Sequence, residues 1–143
     1  FWESIEKYRI NGFYIVPTMW NILLRAPEAS TVDMSSVKFG LSGAAPIPPE
    51  QLDECEQRFH VPIIEAYGST ENSGGITSNR LDARKHGSIG KEIDGIEVRI
   101  FENDGRELAD GEIGESVTRG ETVMQGYVKN HTGTAETYRD SRL

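Results

Sequence analysis

Five consecutive residues, Tyr67-Gly68-Ser69-Thr70-Glu71, combine an aromatic ring, a glycine, two hydroxyls and a carboxylate. A glycine lets the backbone come close to a ligand, a hydroxyl with exposed backbone N–H groups can hold a phosphate, and a carboxylate can hold the hard Mg²⁺ that accompanies nucleotides. The ring ahead of the glycine offers a stacking face for a purine. Composition alone does not separate this reading from an ordinary strand-to-loop transition. A second segment, Leu41-Ser42-Gly43-Ala44-Ala45-Pro46, is built mainly from small residues, against which a flat base could lie with no side chain intruding. It reads at least as well as a tight turn into a helix started by Pro48-Pro49.

The elements that must position these segments follow from periodicity. Phe1, Ile5 and Tyr8 have helical spacing, and the apolar run Phe13-Tyr14-Ile15-Val16 predicts a strand. Trp20, Leu23 and Leu24 predict a second helix closed by Pro27, and residues 37–41 a second buried strand. The helix from Pro48-Pro49 carries Leu52, Cys55 and Phe59 on one face, and residues 62–66 predict a third strand. Strands alternating with helices call for a parallel sheet with right-handed crossovers, and ligands of such sheets collect beyond the carboxyl ends of the strands. Both chemically interesting segments lie there. After about Arg80 the texture changes to short alternating strands, as in Ile96, Val98 and Ile100 against Glu97, Arg99 and Phe101, with turn signals at Asp104-Gly105 and Asp110-Gly111. The expected fold is therefore α/β, a helix-flanked parallel sheet of βαβ units over residues 1–80. An antiparallel β subdomain, distorted and barrel-like, is expected over residues 81–143.

The bulk properties narrow the function classes. The 143 residues suit one ordinary domain, and 15 basic against 23 acidic residues give a net charge of −8 with no basic stripe, which argues against nucleic acid as a partner. One cysteine cannot form an internal disulfide, and no apolar run approaches the roughly 18 residues that span a bilayer, so a cytoplasmic location is expected. His60, His86 and His131 are scattered, which gives no support to zinc or a histidine-based triad. Cys55 reads as a core residue, and Glu112 and Glu115 as a solvated face rather than an acid–base pair. The chain begins at Phe1 and stops just after the charged Asp140-Ser141-Arg142, so it is expected to be an internal piece of a longer protein.

Taken in order, Ser42-Gly43-Ala44-Ala45-Pro46, Tyr67-Gly68-Ser69-Thr70-Glu71, Gly87-Ser88-Ile89-Gly90, Gly111-Glu112-Ile113-Gly114-Glu115, Arg119-Gly120 and Met124-Gln125-Gly126-Tyr127 resemble the blocks of the adenylate-forming superfamily of acyl-CoA synthetases, luciferases and peptide-synthetase adenylation domains. The resemblance runs from Val16-Pro17 to Thr134. It implies that Thr70 contacts the phosphate of ATP or the acyl-adenylate, that Glu71 holds Mg²⁺, and that Tyr67 stacks on the adenine. Gly43, Ala44, Ala45 and Pro46 would line the other side of the base, Gly68 and Ser69 would belong to the phosphate-facing loop, and Glu65 and Ala66 would contact the nucleotide. Asn72 and residues 87–90 would lie near the acyl pocket.

The implied chemistry is attack of a carboxylate on the α-phosphate of ATP with release of pyrophosphate, then transfer of the acyl group to coenzyme A. Positioning and charge neutralisation dominate such transfers, so a hydroxyl and a metal-holding carboxylate are the expected residue types. The Ser42-Gly43-Ala44-Ala45-Pro46 form and Ala66 before Tyr67 favour an acyl-CoA synthetase, for a fatty or aryl acid, over a peptide-synthetase adenylation domain. A nucleotide-binding or structural module without turnover is the alternative from another class. The resemblance places a glycine-rich phosphate loop ahead of this region, and a ribose-binding Thr-Gly-Asp block and a domain with a catalytic lysine after it. The chain alone is accordingly expected to be inactive. His131, Thr132 and Gly133 depart from the commoner Pro-Glu-Ala before Thr134, at an expected surface helix start.

Overall fold

Proline sets where two of the helices begin. Its missing N–H and fixed φ suit a first turn, and both α2 (Pro17–Arg25) and α3 (Pro49–Phe59) start on one. A computed structural model describes residues 1–138 and 142–143, so Asp140 and Ser141 of the charged terminal stretch lie outside the described residues. Ahead of α2 come α1 (Trp2–Tyr8) and β1 (Gly12–Ile15), and β2 (Phe39–Ser42) precedes α3. Then follow β3 (Ile63–Ser69), β4 (Gly74–Ser78), β5 (Lys91–Glu92), β6 (Ile96–Phe101), β7 (Glu115–Gly120) and α4 (His131–Thr137). The class is mixed α/β, as expected.

The chain forms two compact units. The first comprises Phe1–Tyr67 and Thr77–Lys91, and the second Gly68–Ile76 and Glu92–Leu143. The stretch 68–76 thus joins the later residues, while 77–91 stays with the earlier ones.

In the first unit β1, β2 and β3 run parallel, with Ile15 opposite Ser42 and Ser42 opposite Glu65. The sheet continues in the order β1-β2-β3-β4-β5. Crossovers through α2 and α3 make that parallel pairing possible. The apolar face of α3, Leu52, Cys55 and Phe59, is buried as its spacing predicts, each large side chain gaining about 1.5–3 kcal/mol from burial. In α1 the face is narrower than the spacing predicts. Ile5 is fully buried, but Tyr8 is 66% exposed, because Arg9 turns left-handed at φ 46 and ends the helix there.

Trp20 is the largest side chain in this core and is 1% exposed. Its ring lies 5.3 Å from that of Phe13 and 6.4 Å from that of Phe59, and it packs so tightly on β2 that a Cβ at Gly40 would come within 2.6 Å of it. Burial raises the Cys55 thiol to about 12, with the neighbouring Glu54 and Glu56 charges adding to the effect. At pH 8 such a group is thiolate in roughly one molecule in ten thousand. The peptide carrying Cys55 should therefore resist iodoacetamide in native protein and be labelled after unfolding, as peptide mass mapping would read; fast native labelling would contradict the burial.

In the second unit β6 pairs antiparallel with β7, from Ile96 opposite Gly120 to Phe101 opposite Glu115. The expected alternation holds, with Ile96 buried and Glu97 and Arg99 exposed. The expected turns are present at Gly105 and Gly111, both with positive φ. The barrel-like closure is not seen among the described residues. The described β6–β7 sheet is a two-stranded ribbon, and closure needs a longer series of tilted strands. The helix start expected near Thr134 is α4, where the Asn130 side chain accepts from Gly133 N at 2.9 Å, an N-cap contact.

Candidate functional site

In the first unit the register of β2 against β3 brings the small-residue segment beside Glu65 and Ala66. Gly43 is buried there, and a Cβ on it would lie 2.9 Å from the Ala66 carbonyl and 3.0 Å from the Tyr14 hydroxyl, so no larger residue fits without displacing backbone. Ala44 has φ 66, a left-handed conformation that a non-glycine residue adopts at some cost, and the chain then leaves the strand end with Ala44, Ala45 and Pro46 exposed. Tyr67, on β3, is 42% exposed, an available aromatic face.

Glu65 is 8% exposed, and burial raises its pKa against the opposing effects of the Gly87 amide and His86. Its Oε2 accepts from Gly87 N at 3.1 Å, and its backbone carbonyl accepts from Asn79 N at 2.9 Å. Asn79 in turn donates to the Ser88 carbonyl and accepts from Lys85 N at 3.0 Å. The carboxylate therefore faces the loop at residues 87–90, whose backbone it holds onto β3. The loop, with glycines of positive φ at 87 and 90, has no strand ladder of its own, so its N–H groups find partners elsewhere.

Residues 67–71, of which 68–71 belong to the second unit, are not the free loop that their composition predicts. β3 runs on to Ser69, and Gly68 makes this possible: a Cβ there would lie 2.0 Å from the Gly74 carbonyl oxygen. The strand then gives way to one 3₁₀ turn, Thr70–Asn72, capped by Ser69, whose hydroxyl accepts from Asn72 N at 3.3 Å. Asn72 is 2% exposed, and its side chain is occupied within the protein: Nδ2 donates to Ser69 Oγ at 3.2 Å and Oδ1 accepts from Thr118 Oγ1 at 3.0 Å. The turn presents Thr70 to solvent, with no hydrogen bond to its hydroxyl among the described residues.

Glu71 follows, partly exposed. Its Oε1 accepts from the Tyr127 hydroxyl at 2.8 Å, and this hydrogen bond is the main cause that holds the carboxyl below its ordinary value. The same contact raises Tyr127, since losing its proton would set two anions side by side. Among the described residues no group of three His, Cys, Asp or Glu side chains could hold a metal by itself. One ionised carboxylate nonetheless fits Mg²⁺, which keeps several waters and commonly binds through one or two carboxylates together with substrate phosphates. A cation arriving with a nucleotide suits this donor set better than a resident metal.

The expected residues thus fall in both units, Gly43, Ala44, Ala45, Pro46, Glu65, Ala66 and Tyr67 in the first and Gly68, Ser69, Thr70 and Glu71 in the second. Two residues beside them have no role predicted from sequence. Tyr14 carries a signal in the strand alternation, since Ile15 is buried and Tyr14 is 56% exposed. Tyr127 carries none locally, because its partner is 56 positions away.

The sequence model of one family, described as AMP-binding enzyme, matches residues 1–128. A sulfoacetate–CoA ligase of Cupriavidus necator is 36% identical over 140 residues, covering 96% of this chain and 27% of that protein. An oxalate–CoA ligase of Saccharomyces cerevisiae is 34% identical, over 96% of this chain and 25% of that protein. Among solved structures, an anthranilate CoA ligase in complex with anthranoyl-AMP superposes with a TM-score of 0.94 at 28% identity, over 99% of this chain and 28% of that one. The chain spans about a quarter of the length of these relatives.

Proposed function

This chain belongs to the AMP-binding enzyme family, and we propose that it supplies part of the nucleotide site of an ATP-dependent acyl-CoA synthetase. The observation that carries the reading is the pair at the end of β3, an exposed Thr70 hydroxyl next to a Glu71 carboxyl whose pKa the Tyr127 hydrogen bond lowers.

In the proposed reaction an oxygen of the substrate carboxylate forms a bond to the α-phosphorus of ATP, and the bond from that phosphorus to the bridging oxygen of pyrophosphate breaks. The sulfur of coenzyme A then attacks the acyl carbon, AMP leaves with the carbon–oxygen bonding pair, and the thiol proton passes to solvent or a base. Mg²⁺ bound with the nucleotide would neutralise charge building on the phosphates. Thr70 would donate to a phosphate oxygen, and Glu71 would hold the cation in place. The small residues Gly43, Ala44, Ala45 and Pro46 and the exposed ring of Tyr67 would receive the adenine, with Glu65 and Ala66 contacting the nucleotide, while Gly68 and Ser69 would belong to the phosphate-facing loop with Thr70. A cytoplasmic location belongs to the same proposal. Among the described residues no helix is long and apolar enough to cross a membrane.

The test is pyrophosphate release by the intact protein with a panel of fatty acids, aryl acids and short anionic acids such as sulfoacetate and oxalate, followed by detection of the CoA thioester. Release that needs both Mg²⁺ and one class of acid, with a thioester formed, is expected. Adenylation of amino acids without a CoA thioester would assign the chain to a peptide-synthetase type instead, and nucleotide binding without pyrophosphate release would leave a binding module.

Thr70→Val keeps the side-chain shape and removes the hydroxyl. Adenylation should fall by about tenfold, the scale of one hydrogen bond worth about 1.4 kcal/mol, with a smaller effect on thioester formation from supplied acyl-adenylate. Equal losses in both half-reactions would argue against a phosphate contact specific to the first.

A further inference from the structure

Four hydrogen bonds tie residues 118–127 to the turn that carries Glu71. Thr118 Oγ1 donates to Asn72 Oδ1 at 3.0 Å, Ser73 Oγ to the Thr122 carbonyl at 2.7 Å, and Met124 N to the Glu71 carbonyl at 2.7 Å. The fourth runs from the Tyr127 hydroxyl to Glu71 Oε1 at 2.8 Å. The first three hold backbone or a buried amide. Of these four, only the last reaches the side chain on which the proposed cation site depends.

Tyr127 is itself held at its base. Its backbone N donates to Thr134 Oγ1 at 2.9 Å, and Thr134 N donates to the Asn130 carbonyl at 3.1 Å, so the start of α4 fixes where the phenol begins. Gly126 before it has φ 142, and a Cβ there would lie 2.7 Å from Thr134 Cγ2. A glutamate has three side-chain torsions, and one on a partly exposed turn samples many orientations unless something selects one. A hydrogen bond to one carboxylate oxygen, from a ring whose root is fixed, makes that selection. It leaves the second oxygen presented in a set direction.

We propose that Tyr127 is a positioning residue for the adenylation step: its hydroxyl fixes the orientation in which Glu71 meets the cation that arrives with ATP. The inference rests on the role given to Glu71 above. Outer partners that orient a metal-holding side chain commonly matter to affinity by ten- to a hundredfold, and the same scale applies here.

The experiment titrates ATP into the intact protein by calorimetry, once in EDTA and once across a series of Mg²⁺ concentrations, for the wild type, Tyr127→Phe, Ser73→Ala and Glu71→Gln. Tyr127→Phe should raise the Mg²⁺ concentration needed for half of the metal-dependent gain in binding by about tenfold, while binding in EDTA stays at the wild-type level. Ser73→Ala removes a tether that does not touch the carboxylate, and should change neither. An unchanged Mg²⁺ requirement in Tyr127→Phe would overturn the proposal. So would a loss of binding that is equal with and without Mg²⁺ and is matched by Ser73→Ala, since that is the behaviour of a strap that merely holds the turn. Failure of the adenylation reading is seen separately, as wild-type protein that binds ATP with Mg²⁺ yet releases no pyrophosphate with any acid.

Discussion

Glu71→Gln in the intact protein should lower Mg²⁺-dependent acyl-adenylate formation by about a hundredfold, the scale of losing one charged contact to a transition state. The substitution keeps the size of the side chain and can still accept from Tyr127, so the turn should keep its shape. What disappears is the negative charge, which is what a hard cation needs from its ligand. The melting temperature should hardly move, because the carboxylate is partly exposed and is not part of a core. Stopped-flow or quenched measurement of pyrophosphate release gives the rate, and a thermal scan of the same preparation gives the control. A near-normal rate, or activity lost only together with the fold, would remove Glu71 from the proposed site.

Trp20→Ala should have the largest effect on stability. Truncating a buried Trp generally costs about 3–5 kcal/mol through lost transfer and the cavity left behind. Here the cost should fall at the lower end, about 3 kcal/mol, because the buried indole Nε1 has no hydrogen-bond partner among the described residues and its removal relieves part of that penalty. The cavity would open among Phe13, Phe59 and Gly40, beneath the strand that leads to Gly43. Trp20→Phe keeps most of the ring and discards the unpartnered donor, so it should cost less than about 1.5 kcal/mol. Denaturant unfolding of the intact protein reads both variants. If alanine costs no more than phenylalanine, Trp20 is not the packing centre that its burial indicates.

Legibility differed between element cores and element ends. The face of α3 and the parallel order of β1, β2 and β3 were readable because each rests on periodicity over a few residues, and proline marks the first turns of α2 and α3. The ends were less so. β2 spans Phe39–Ser42 rather than 37–41, and β3 runs to Ser69 rather than stopping at 66. Tyr67, Gly68 and Ser69 look like loop residues by type. They become strand because Gly68 can lie against the Gly74 carbonyl, a contact that no local count of polar residues reveals. In the second unit, alternation predicted β6 and the turns at Gly105 and Gly111. It could not say whether the ribbon closes, because closure depends on strand partners and not on the pattern within one strand.

The sequence by itself determined the α/β class, the core face of α3, and the two segments worth testing for nucleotide chemistry, since residue types and local spacing suffice for those. The tertiary structure decided what each candidate does with its polar groups. Glu65 turns its carboxylate to the Gly87 amide, Asn72 is locked between Ser69 and Thr118, and Glu71 is gripped by Tyr127. Hydrogen bonds between residues 22, 46 and 56 positions apart leave no periodic trace, because the partner of a side chain is chosen by which strand ends and turns the fold brings within about 3 Å.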